Sequence, residues 1–178
     1  MTETVTHNGV PHDDSKTTDD EADRRLRIYL QDHFAGSSAG LALVQRCRRA
    51  NPELDNLLGA LEREIAEDRQ SLEAIMSRLG VQPNPIKSAL GTVSEFVGRL
   101  KSNGTISGYS PSSRVVELEG LAAGVFTKRN LWRSLLAVAD LREGLDRTEL
   151  EELVTRATSQ FERILDAHGA AAARAFGR

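Results

Sequence analysis

Apolar residues recur along this chain at the three- and four-residue spacing of a helix face, and four stretches carry the repeat far enough to predict long helices. The most regular covers residues 61–79. There Leu61, Ile65, Leu72, Ile75 and Leu79 fall on one stripe at about 100° per residue. Asp68 lands in the middle of that stripe and Glu64 on its edge. The spacing predicts a helix over 53–79, with Gly80 where a terminating glycine would stand. Upstream, Leu26, Leu30, Phe34, Leu41 and Val44 predict a helix over 23–50 that Asn51-Pro52 ends. His33 lies on the edge of that stripe and Ser37 near its centre. Gly36, Ser37, Ser38, Ala39 and Gly40 form a small-residue patch where a second backbone would have room to approach.

Val115, Leu118, Ala122, Val125, Trp132 and Leu136 predict a third long helix over 112–140, capped by Ser110 or Ser112. Arg129 falls inside its stripe, flanked by Glu119 and Glu117. Leu150, Leu153, Val154, Ala157, Phe161, Ile164 and Leu165 predict the last, capped by Asp146 or Thr148 and running to about residue 176, and His168 continues its stripe. Residues 80–112 join the second and third helices. They hold a turn at 81–85 and a shorter amphipathic helix carrying Ile86, Ala89, Leu90, Val93, Phe96, Val97 and Leu100. A loop over 101–113 has glycines but no GxxxxGK[ST] phosphate motif. A connection that long carries the chain back along a bundle, so that the second and third helices run parallel.

The residues between the stripes are the candidate chemistry. Burying Asp68 alone costs several kcal/mol, so it needs a partner. Arg129 and Ser37 stand at a similar level, and Asp68 and Arg129 are expected to be buried within about 4 Å of each other. Glu64, Glu119 and His168 form a second group that would share hydrogen bonds or hold a divalent metal. Ser37 and His33 are at i,i+4, but a helical serine without an oxyanion hole is a poor nucleophile. Cys47, the only cysteine, has no disulfide partner. Its neighbours Arg46, Arg48 and Arg49 are cations that lower a thiol pKa when they face it.

Composition narrows the class. A length of 178 residues suits one domain, and 4% aromatic and 28% charged residues favour helix over sheet. The expected organisation is a disordered acidic tail over 1–21 and an all-α domain over 22–178. Within residues 1–20, Glu3, Asp13, Asp14, Asp19 and Asp20 against Lys16 give −4, so the net charge of −3 leaves the remainder near +1. That is no nucleic-acid footprint. No apolar run reaches a membrane span, and the polar N-terminus does not resemble a signal peptide, so a cytoplasmic location is expected.

The helix order, lengths and long connection resemble the ferritin-like superfamily over residues 24–176. A closer likeness, to bacterial bundle proteins of no assigned activity, rests on Asp32-His33-Phe34-Ala35-Gly36, Glu64-Ile65-Ala66-Glu67-Asp68, Gly108-Tyr109-Ser110-Pro111, Glu117-Leu118-Glu119-Gly120 and Leu131-Trp132. The resemblance implies an antiparallel four-helix bundle with one long crossover carrying a short extra helix. The superfamily's di-iron site takes a Glu from each of two helices and a Glu-x-x-His from each of the other two. This chain departs from that pattern. The first helix offers Gly36, Ser37 and Ser38 at its centre, the second has no His, and Leu165 stands three before His168.

The reading is therefore a non-catalytic bundle with neither metal nor cofactor, acting through a homodimer or a protein partner. A metal-binding or oxidoreductase member with an atypical site is the alternative. Leu131 and Leu135 on the third helix, and Tyr29 and Leu43 on the first, lie off their stripe centres. They are expected to be covered by the crossover helix and a dimer partner.

Overall fold

The computed structural model describes residues 14–84 and 110–177, with side chains from residue 19 onward. The expected short helix in the connection and most of the expected tail lie outside those residues. Within them there are four long helices and no strand: α1 Asp14–Ala50, α2 Asp55–Arg78, α3 Pro111–Leu136 and α4 Arg147–Phe176. Their lengths are 37, 24, 26 and 30 residues. None is long and apolar enough to cross a membrane. Two boundaries differ from expectation. Helix α1 begins at Asp14, inside the stretch expected as tail. Helix α3 ends at Leu136 and is followed by a separate 3-10 turn, Ala139–Leu141.

Local chemistry sets the ends. Asn51 leaves the helical region, with φ −132° and ψ 72°, before Pro52, whose ring disfavours helical backbone in the residue preceding it, and its Nδ2 donates to the Cys47 carbonyl at 2.8 Å. At the end of α2, Gly80 adopts φ +67°. Its amide donates to Ser77 O at 3.1 Å, while Val81 N reaches back to Met76 O at 2.8 Å. This is the Schellman arrangement, completed by packing of buried Val81 in the same cluster as Met76. Ser110 accepts from Ser112 N at 3.2 Å and places Pro111 at the first turn of α3, and Asp146 accepts from Glu149 N at 3.0 Å to start α4.

Pairings between helices fix the register. Along α1 and α2 the partners fall in opposite sequence order, Arg48 with Glu62 at 3.0 Å and Gln31 with Gln82 O at 3.1 Å. Helices α1 and α3 are tied by Arg46–Glu117 at 3.2 Å and Tyr29–Ser134 at 3.3 Å. Arg78–Glu149 and Glu64–Arg163 tie α2 to α4. Glu119–His168 and Lys128–Gln160 tie α3 to α4. Each of these four pairs is antiparallel, so α2 and α3 point the same way.

The core divides in two. One half gathers Leu30, Phe34, Leu72, Ile75, Met76, Leu131, Trp132, Leu135, Leu150 and Leu153. The other gathers Leu43, Val44, Leu58, Leu61, Ile65, Leu118, Leu121, Val125 and Ile164. Leu131, Leu135 and Leu43, off their stripe centres and expected to be covered by the crossover helix and a dimer partner, are members of these clusters. Helix α3 is buried on more than one side, which is why its stripe had no single centre.

The glycines separate by geometry. Gly144 holds φ +90°, and a Cβ there would stand 3.2 Å from the Arg78 carbonyl oxygen. At Gly36 and Gly124, both within helices, an added Cβ meets nothing within 4 Å. Gly144→Ala should therefore cost about 1–3 kcal/mol. Gly36→Ala or Gly124→Ala should instead stabilise by about 0.5–1 kcal/mol each. Urea denaturation of the three variants checks both signs.

Candidate functional site: the polar waist and its groove

Between the two apolar halves lies a layer of polar residues. Asp68 is 1% exposed, at the centre of α2. Its Oδ1 accepts from Arg156 Nε at 2.7 Å, and its Oδ2 from Gln160 Nε2 at 3.1 Å and from the Lys128 ammonium. Lys128 also donates to Gln160 Oε1 at 2.5 Å. One carboxylate on α2 thus holds two cations and an amide brought by α3 and α4. Burial pushes the Lys128 pKa down, and the Asp68 charge opposes that shift.

The expected Asp68–Arg129 pair is not formed. The cation opposite Asp68 is Lys128, one residue earlier on α3, which is a rotation of about 100°. Arg129 turns to the α3–α4 face instead, where its guanidinium lies 5.2 Å from the Phe126 ring centroid and 5.3 Å from that of Phe161. Ser37 does not reach Asp68 either. Its hydroxyl donates to the Phe34 carbonyl at 2.6 Å and accepts from Arg69. Arg69 also donates to Phe34 O at 2.9 Å and stacks 3.9 Å over the Phe34 ring.

The second expected group separates as well. His168 Nε2 lies 3.1 Å from Glu119 Oε1, so those two do meet, at a partly exposed position. Glu64 is held elsewhere, by Arg163. Among the described residues no three of His, Cys, Asp and Glu converge as metal ligands. The six residues expected to share a cluster, Ser37, Glu64, Asp68, Glu119, Arg129 and His168, therefore fall into five separate environments, with only Glu119 and His168 together. Cys47 is buried, and burial, helped by the charge of buried Glu117, pushes its thiol pKa up, with Arg46 opposing the shift.

Reading the sequence missed Lys128, Arg156 and Gln160 as the partners of Asp68. Gln160 was visible in principle, since it stands in register between Ala157 and Ile164 on the buried face of α4. Lys128 likewise continues the Leu118, Leu121, Val125 spacing. Arg156 is half-exposed and gives no periodic signal.

The same layer carries an opening of about 560 Å³ between α1 and α3, floored by Ile65, Asp68 and Leu72 of α2. The α1 patch of small residues lines it, together with Gly120, Ala123 and Gly124 of α3. No backbone approaches closely at Gly36, Gly40 or Gly124, where a Cβ would meet nothing within 4 Å. The patch widens a groove; it does not seat a helix. His33 lines one end with its ring 4.5 Å from that of Tyr29, edge to face. Comparison with known proteins finds no matching family model, no matching curated protein and no matching solved structure.

Two predictions follow from this layer. Asp68→Ala leaves Lys128 and Arg156 without their carboxylate and should cost about 3–5 kcal/mol in chemical denaturation. His33 is buried enough that its pKa lies below its ordinary 6.5, with Asp32 opposing the shift. On acidification the unfolded chain then takes up the proton first, so stability falls as pH drops below 6.5. Replacing His33 by Gln should flatten that part of the Tm–pH curve between pH 7 and the lowered folded pKa.

Proposed function

We propose that this protein is a ferritin-like bundle that has given up the metal chemistry of that architecture and acts, without catalysis, by association with a second copy or a protein partner. The observation that carries the reading is the saturation of Asp68. Its oxygens take three donors, two of them cations, at the level where a di-iron site would need free carboxylates. A guanidinium and an ammonium there repel a divalent ion and occupy the group that would bridge it. Glu64 is committed to Arg163 in the same way. The shared direction of α2 and α3 supports the ferritin-like connection, with residues 79–110 as the crossover.

Association is supported by the outer α3–α4 face. Phe126 and Leu165 are each 44% exposed, and Phe126 lies beside Phe161 and under the Arg129 guanidinium. Aromatic rings with an arginine are the composition of interface centres. An atypical metal site finds one point of support, the His168–Glu119 pair, which offers two ligands and leaves the rest to solvent.

The test has two arms. Tag-free protein incubated with ferrous iron in air should show no fast oxidation and keep no two irons per chain after desalting. In light scattering at high concentration the wild type should exceed the monomer mass, and Phe126→Ser should shift it towards the monomer. Retained paired metal lost on Asp68→Ala would establish the alternative. A monodisperse wild-type monomer would remove self-association.

A further inference from the structure

We propose that the α1–α3 groove is a binding site for an elongated apolar molecule with a single acidic head, a long-chain carboxylate. The inference is independent of the ferritin-like reading, and the groove lies away from the α3–α4 face invoked for association. Its size falls in the range of small-molecule sites, and its walls are mostly apolar with a few polar groups at one end.

The polarity is graded along the axis. Gly40, Leu43, Gly120 and Gly124 line one end, and the open space at the glycines is a slot without side chains. The register set by Tyr29–Ser134 puts His33, Lys128 and Trp132 together at the other end. Two observations there point to an acceptor-bearing, anionic head. Trp132 is 1% exposed and lines the groove, yet its indole Nε1–H has no hydrogen-bond partner among the described residues. A buried donor without an acceptor is costly, and a carboxylate oxygen at that place would satisfy it.

The second observation is charge. Asp68 is balanced by Lys128 and Arg156, whereas Arg69 has no carboxylate within ion-pair distance among the described residues. Asp32 is the other acid on the lining and stands at the solvent edge. Arg69 is therefore a cation of the groove lining without a carboxylate of its own among the described residues, beside an apolar slot. That combination suits an amphiphile better than an alcohol or a hydrocarbon, because only a carboxylate meets the cation and the orphan donor together.

Trp132 is the chain's single tryptophan, so its emission reports on the groove directly. Full-length protein stripped of bound lipid on an apolar resin is titrated with dodecanoate and, separately, with dodecanol. Dodecanoate should change Trp132 emission saturably at one molecule per chain, and dodecanol should bind about tenfold more weakly, the loss expected for a charged hydrogen bond. Gly124→Leu fills the slot and should weaken dodecanoate about tenfold or more, with helix content and Tm at or above wild type. Arg69→Gln should weaken dodecanoate while leaving dodecanol unchanged. Four results overturn the proposal: no saturable change in wild type, equal binding by folded Gly124→Leu, dodecanol binding as tightly as dodecanoate, or a groove shown by cross-linking to be filled by the chain's own residues 85–109.

Discussion

The structure turns on one buried carboxylate. Asp68 sits at the waist of the four helices, where the two apolar halves of the core meet, and it carries no compensation on its own helix. An ionised carboxylate at 1% exposure is tolerable only when its lone pairs are taken up. Lys128 from α3, with Arg156 and Gln160 from α4, takes them up. Each of these side chains reaches Asp68 only when α3 and α4 stand at one height against α2. Apolar stripes tolerate sliding by a turn; this contact does not. The layer thus works as a register pin, while the leucine-rich halves on either side supply the bulk of the burial.

The same layer explains the groove. Polar side chains bridge α2, α3 and α4 at the waist, and on the α1 side the facing positions of α1 and α3 are small. The chain there has Gly36, Ser37, Ser38, Ala39 and Gly40 facing Gly120, Ala123 and Gly124. Two runs of small residues opposite each other would normally let helix backbones close together. Here Arg69 wedges against Phe34 and Ser37, and Leu43, Leu131 and Trp132 brace the ends, so the walls stay apart. The cost is conformational, since glycines in helix interiors weaken them. A helix that gives up stability at several positions to keep a slot open is consistent with that slot having a use.

Chemical capacity follows from how the ionisable groups are spent. Arginine–carboxylate pairs tie α1 to α2, α1 to α3 and α2 to α4, a histidine–carboxylate pair ties α3 to α4, and the carboxylates that would be shared in a metal centre are separated by their own cations. What remains open is apolar or aromatic: the groove on one side, and Phe126, Phe161 and Leu165 on the other. These are surfaces for binding, and they lie on different faces of α3.

The sequence by itself determined the local structure. Four helices and their caps were readable because helical periodicity, the Asn51-Pro52 stop, the Gly80 terminator and the Ser110 and Asp146 caps act over a few residues. That Asp68 is buried was readable for the same reason, since its stripe on α2 has one clear centre. Which cation meets it was decided only by the tertiary structure. Helix α3 is apolar on several sides, so its sequence does not say which face points at α2, and a one-residue difference, Lys128 for Arg129, exchanges a core ion pair for a guanidinium on surface aromatics. The glycine patch was legible as a patch, but whether two such patches close on each other or stand open depends on the side chains that three other helices bring to the waist. Packing of that kind is a property of residues far apart in the chain, and no window of the sequence contains it.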